Sequence, residues 1–209
     1  MKNLGPESEW KFDDRGSCGV FYQESYASPA TADLDNDTYL DLYFTTVYET
    51  ASFKVRNQPT LFRRVGDFQF RDETEAHGLN GLPATYQAAF ADFDQDGDID
   101  LFTAGKLFEN QASNSSRWLR VNLKGDGHLV NRDAIGTQVR LKLPDRVLAR
   151  QVEAGTDQGN QNDLSLHFGL ADFAAPYSLE ILWPNGRRQN VTVEENNTTK
   201  EIVFGSNPR

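Results

Sequence analysis

Apolar and polar residues alternate with a period of two along several short stretches of this chain. Trp118-Leu119-Arg120-Val121-Asn122-Leu123 and Thr137-Gln138-Val139-Arg140-Leu141-Lys142-Leu143 make every second side chain apolar, the spacing of a strand with one face in a core. Pro144-Asp145-Arg146 then predicts a turn into a strand from Val147 to Ala154, and Leu164 to Phe168 and Leu179 to Trp183 predict two more. Pro184-Asn185-Gly186 is a strong turn into Arg187 to Val193, because Asn-Gly suits positive φ, and Lys200 to Phe204 closes the series. In the first half, Leu40 to Val47 and Ile99 to Thr103 are rich in aromatic and β-branched residues. Leu61 to Val65 and Phe68-Gln69-Phe70 flank Gly66-Asp67, a hairpin signal. The first half carries no long amphipathic helix. The pattern predicts an all-β chain.

Two of these strands follow acidic loops that repeat. Ala32-Asp33-Leu34-Asp35-Asn36-Asp37-Thr38-Tyr39-Leu40-Asp41-Leu42 aligns without gaps on Ala91-Asp92-Phe93-Asp94-Gln95-Asp96-Gly97-Asp98-Ile99-Asp100-Leu101 at an offset of 59 residues. Leu61-Phe62-Arg63 follows the first loop, and Leu107-Phe108-Glu109-Asn110 the second. Each unit is too small to bury its own faces. Carboxylates stand at loop positions 1, 3, 5 and 9: Asp33, Asp35, Asp37 and Asp41, then Asp92, Asp94, Asp96 and Asp100. Alternate carboxylates in a tight turn converge on one point, and such a cluster suits a hard dication with flexible oxygen coordination, above all Ca²⁺. Position 7, Tyr39 or Asp98, offers its backbone carbonyl. Gly97 at position 6 permits positive φ, whereas Thr38 strains the same turn in the first loop. An EF-hand is excluded because position 12 holds Phe44 or Thr103 instead of Glu. Mg²⁺ fits less well, since it keeps its waters.

Charge divides the chain unevenly. Residues 1–113 hold 20 acidic and 9 basic residues, and residues 114–209 hold 11 and 12. With the small, polar stretch Gln111 to Ser116 between them, this predicts two domains, 1–113 and 114–209. A net charge of −10 argues against nucleic acid as a partner, because phosphate neutralisation needs a basic face. No apolar run reaches the ~18 residues of a membrane span. The polar start lacks a signal sequence, and we expect the export signal to precede it. Cys18, the single cysteine, excludes an intrachain disulfide and a Cys-based zinc site.

The acidic segments resemble the calcium loops of FG-GAP/VCBS repeats, which build integrin-type β-propellers, over roughly Tyr26 to Asn110. Asn131-Arg132-Asp133-Ala134-Ile135-Gly136, His167-Phe168-Gly169-Leu170 and Trp183-Pro184-Asn185-Gly186 resemble the ASPIC/UnbV domain, which follows such repeats in cartilage acidic protein-like chains and bacterial relatives. The resemblance implies propeller-type blades followed by a small β-sandwich or barrel-like domain. Two blades do not close a propeller, so the expectation is a partial propeller with missing blades or self-association. The segment Trp10 to Val20 reads as the remnant of a preceding blade.

The three histidines, His77, His128 and His167, lack metal-ligand spacing, and neither a His-Glu-x-x-His run nor a Gly-x-Ser-x-Gly elbow exists. No catalytic residue is assigned. Asn131-Arg132-Asp133 reads as a clamp on a loop, His167 as a packed histidine and Trp183 as core. The expectation is an extracellular or periplasmic calcium-binding interaction or adhesion module, with a protein or glycan partner at an exposed surface. The alternative is an enzyme or accessory protein of a natural-product pathway on a propeller scaffold, because UnbV-type relatives occur in such pathways.

Overall fold

A computed structural model describes residues 2–112, 116–156 and 159–205. The described chain is all-β apart from two single 3-10 turns, Pro6–Ser8 and Ser52–Lys54. Each strand expected from alternation is present, with ends displaced by a few residues. Among the described residues no helix is long and apolar enough to cross a membrane. Packing groups the chain into two compact units, Met1–Thr31 with Leu40–Tyr86, and Ala32–Tyr39 with Gln87–Arg209. This division follows contacts, whereas the one at 113/114 follows charge and motif; residues 113–115 lie outside the described residues.

In the first unit, β1 (Lys2–Asn3) pairs antiparallel with β2 (Phe12–Asp13). β3 (Tyr26–Ala32), β4 (Asp41–Thr46), β5 (Thr60–Gly66) and β6 (Gln69–Asp72) form a four-stranded sheet in chain order. Tyr43, Leu61 and Phe62 are buried, and the Phe62 ring meets Phe21 and Phe44 edge-on at 5.1 and 6.1 Å. That geometry sets a positive ring edge against a negative face. The segment Trp10 to Val20 contributes a single two-residue strand. The β5–β6 turn is centred on Asp67 and Phe68, with Gly66 paired to Gln69 after a bulge. Phe68 takes φ +54°, and its ring lies under Arg64 at 5.4 Å and Lys2 at 5.8 Å.

The second unit holds β7 (Ala88–Ala91), β8 (Asp100–Thr103), β9 (Lys106–Phe108), β10 (Arg117–Lys124), β11 (Gln138–Lys142), β12 (Val147–Gln151), β13 (Leu166–Ala171), β14 (Tyr177–Leu182), β15 (Arg188–Val193) and β16 (Thr198–Val203). β7, β8 and β9 form an antiparallel meander. β10 lies between β13, antiparallel, and β16, parallel. A second sheet has the order β12-β11-β14-β15, antiparallel throughout.

These last two sheets share one core. Leu119 and Val121 of β10, Phe168 and Leu170 of β13, Val139 and Leu141 of β11, and Leu179 and Ile181 of β14 are all fully buried within it. Each such side chain removed from water contributes about 1.5–3 kcal/mol. Trp183 closes the core edge-on to Phe204 at 5.3 Å and donates its indole N–H to Gln189 Oε1. Asn131 fixes its loop by accepting from Ile135 N and donating to Ile135 O. The clamp is therefore the asparagine amide, while Arg132 and Asp133 pair at the surface.

Alternation leaves a second face on β10 and β13. Trp118 and Arg120 point away from the core on one strand, and His167 and Gly169 on the other; Trp118 pairs with Gly169 and Arg120 with His167. Arg120 is nevertheless only 9% exposed. Both acidic loops cover this face.

Candidate metal centre

The first loop lies between β3 and β4, the second between β7 and β8. Each winds its backbone around its own carboxylates. Asp33 accepts the amides of Asp37 and Thr38 at 3.0 and 2.9 Å, and Asp37 accepts that of Tyr39 at 2.8 Å. In the second loop Asp92 accepts Gly97 N at 3.2 Å, and Asp96 accepts Asp98 N at 2.9 Å. Position 6 has the same left-handed backbone in both, φ +83° at Thr38 and +96° at Gly97. Thr38 adopts it despite its branched Cβ, and its hydroxyl accepts Arg146 Nη1 at 3.0 Å. Glycine at 97 has a further reason. A Cβ there would stand 1.9 Å from the Trp118 indole nitrogen.

The loops bring together Asp33, Asp35 and Asp37 in one group and Asp92, Asp94 and Asp96 in another, each with carboxylate oxygens within 4.8 Å of one another. Ca²⁺ binds oxygens at about 2.3–2.6 Å, so ligands on opposite sides of one ion stand about 5 Å apart. Among the described residues Asp92 Oδ1 is buried without a hydrogen-bond partner. An ion smaller than water, seated among the three carboxylates, would satisfy it. The residues therefore fit a dication.

The other residues expected at the site, Asp41, Asp100, Tyr39 and Asp98, make further contacts. Asp41 Oδ1 accepts Arg64 N at 2.7 Å and lies 3.1 Å from Arg63 Nε. Asp100 Oδ1 accepts Asn110 N at 2.7 Å, and Oδ2 accepts Phe93 N at 2.8 Å. Both position-9 carboxylates are buried and brace the strand after the loop. Tyr39 lies beneath the Arg146 guanidinium at 5.0 Å. Asp98 Oδ1 accepts Asn36 Nδ2 at 2.8 Å.

Arginines of β10 and β12 answer the acids. Arg120 Nη1 donates to Asp92 Oδ2 at 3.1 Å. Arg150 donates to His167 O at 3.1 Å and lies near enough to Asp33 for that charge to favour its cation against burial. His167 Nε2 stands 2.7 Å from Asn36 Oδ1, and Ala171 N donates to Asn36 O at 2.7 Å. A Cβ on Gly169 would stand 2.2 Å from Asp33 Oδ2, so the glycine permits the first loop's approach.

Burial and the charges of Asp96, Asp92, Asp100 and Asp94 push the Asp98 carboxyl up to about 6. Asp92 also rises, through burial against the opposing pull of Arg120. Burial, with Arg150 and Arg120 nearby, pushes His167 down to about 3 and keeps it neutral. Crowded acids whose carboxyls are pushed up by burial and by one another mark a place where a cation would restore charge balance.

Asn36, Arg120, Arg146 and Arg150 escape a motif reading. Their signal is faint: a charged residue on the outward side of an alternating strand, as at Arg120, and a glycine amid β formers, as at Gly169. His167 is packed, as expected, but it also anchors a loop 131 residues away in sequence.

Known proteins resemble the chain over most of its length. Human cartilage acidic protein 1 (Homo sapiens) is 26% identical over 191 residues, covering 83% of this chain and 27% of that protein. The mouse protein of the same name (Mus musculus) is 26% identical over 190 residues, covering 83% and 28%. The chain thus spans about a quarter of the length of these relatives. Residues 127–208, which include β11 to β16, match the family described as ASPIC and UnbV.

Proposed function

We propose that this chain is a calcium-stabilised β module that presents a surface for interaction, with no catalysis of its own. The observation that carries the reading is Asp92: one carboxylate oxygen is buried without a hydrogen-bond partner among the described residues, within a group of three converging acids. Ca²⁺ supplies the missing charge, held by Asp92, Asp94 and Asp96 in one loop and by Asp33, Asp35 and Asp37 in the other. It neutralises carboxylates that otherwise repel and locks both loops onto the outward face of β10 and β13.

The two repeats are read as FG-GAP/VCBS blades of a partial propeller, followed by a sandwich. Equivalent pairing supports this: Leu42 faces Phe62 in one copy and Leu101 faces Phe108 in the other. The setting proposed is extracellular or periplasmic, with a protein or glycan partner in adhesion. External calcium at millimolar levels suits even weak sites, and a relative named for cartilage agrees with an extracellular place.

Thermal unfolding with calcium and with chelator tests the reading. Ligand a hundredfold above Kd adds about 2.7 kcal/mol per site, and each kcal/mol raises Tm by about 2–4 °C at this size. An unchanged midpoint, with no calcium retained by elemental analysis, rejects it.

A further inference from the structure

We propose that the two acidic loops bind their cations as a coupled pair, and that Asn36 is the positioning residue that carries the coupling. The inference rests on the calcium reading and adds to it a dependence between the sites.

Asn36 occupies position 4 of the first loop, flanked by Asp35 and Asp37, and is 1% exposed. Its polar groups are committed outside its own loop. Nδ2 donates to Gly97 O at 3.2 Å and to Asp98 Oδ1 at 2.8 Å. Oδ1 meets His167 Nε2 at 2.7 Å, and the main-chain carbonyl accepts Ala171 N at 2.7 Å. The amide therefore grips the second loop at the two residues that follow Asp96. Its counterpart in the second loop, Gln95, shares the left-handed backbone at φ +67° but is exposed. The bridge is thus one-sided and does not come from the repeated motif.

An ion that draws Asp35 and Asp37 together fixes the turn between them, and with it the Asn36 amide. That amide orders the Gly97 carbonyl and Asp98 before the second ion arrives. The second ion then has less chain to order and binds more tightly, the condition for positive cooperativity. By linkage the effect is reciprocal.

Calcium titration by calorimetry, with ions counted by native mass spectrometry, tests this. The wild-type chain is expected to take two ions with a Hill slope above one. Asn36→Gly keeps the left-handed backbone and removes the amide; it is expected to take two ions with a slope of one. Should that variant fail to fold, Asp35→Asn disables the first loop alone, and the affinity left at the second loop falls about fivefold or more. Two independent ions in the wild-type chain, or a single ion, overturn the coupling and leave calcium binding standing. No ion at all overturns both.

Discussion

Arg120 and Asp92 form an ion pair at 3.1 Å in which 11% of one side chain and 1% of the other is exposed. Alternation turns Arg120 away from the core of its sheet, and the second acidic loop then buries it. Removing one partner of a buried pair leaves the other charge uncompensated, at a cost of about 3–5 kcal/mol. Arg120→Met should therefore destabilise the calcium-free protein by about that amount. With calcium the loss should shrink, because the ion takes over part of the countercharge. Urea unfolding in chelator and in calcium measures both; equal losses would show that arginine and cation do not share a carboxylate group.

Gly169 sits in β13, where alanine has the better strand propensity. Its absent side chain makes room for the first loop: a Cβ would fall 2.2 Å from Asp33 Oδ2 and 2.5 Å from Asn36 Cα. Gly169→Ala should thus lift the loop and cost about 1–3 kcal/mol, the usual range for forcing an atom into a packed site. Hydrogen exchange should show faster exchange at the Thr38 and Tyr39 amides while β10 stays protected. A variant as stable as the parent would mean that this approach is not required.

Much of this was legible in local pattern. Alternation places Leu119, Val121, Val139 and Leu141 in a core because strand periodicity is a local property. The Asp spacing places three carboxylates of each loop together for the same reason. The rest depends on residues far apart in sequence. Nothing near Asn36 indicates that its amide reaches Asp98 and His167, or that Arg146 covers Tyr39. The β5–β6 turn differs by one step from the Gly66-Asp67 expectation: the left-handed position falls on Phe68, whose ring is covered by Arg64 and Lys2. Position 9 of each loop reads as a ligand by spacing, yet its carboxylate also braces a strand, which spacing does not encode.

Acid should act on this protein in two opposed ways when calcium is absent. His167 titrates near 3 when folded and near 6.5 when unfolded. The unfolded state takes up its proton first, so stability falls as pH drops below 6.5. Asp98 titrates near 6 when folded against 3.8. The folded state takes up that proton first, so stability rises as pH drops through 6 toward 4. The histidine shift is the larger, and the chelated wild-type chain should lose stability from pH 7 to pH 5. His167→Gln should reverse the slope, and Asp98→Asn should steepen the loss. Melts at pH 7 and pH 5 in chelator decide it; three parallel profiles would remove both assignments.

Asp100 holds the amides of Phe93 and Asn110, and Asp41 holds the amide of Arg64, at a matching place in each repeat. Each carboxylate ties the start of one strand to a residue within two positions of the end of the next. Leaving a buried donor without an acceptor costs about 1–3 kcal/mol. Asp100→Ala should cost more than Asp100→Asn, because asparagine keeps one oxygen for one of the two amides. Asp96→Ala, whose carboxylate is exposed and accepts a turn amide, should cost little in chelator and lose most of the calcium-dependent gain of its loop. The contrast separates bracing from binding. Paired melts of the three variants, with and without calcium, measure it. If Asp96→Ala and Asp100→Ala respond alike in both conditions, the two positions share one role and the division fails.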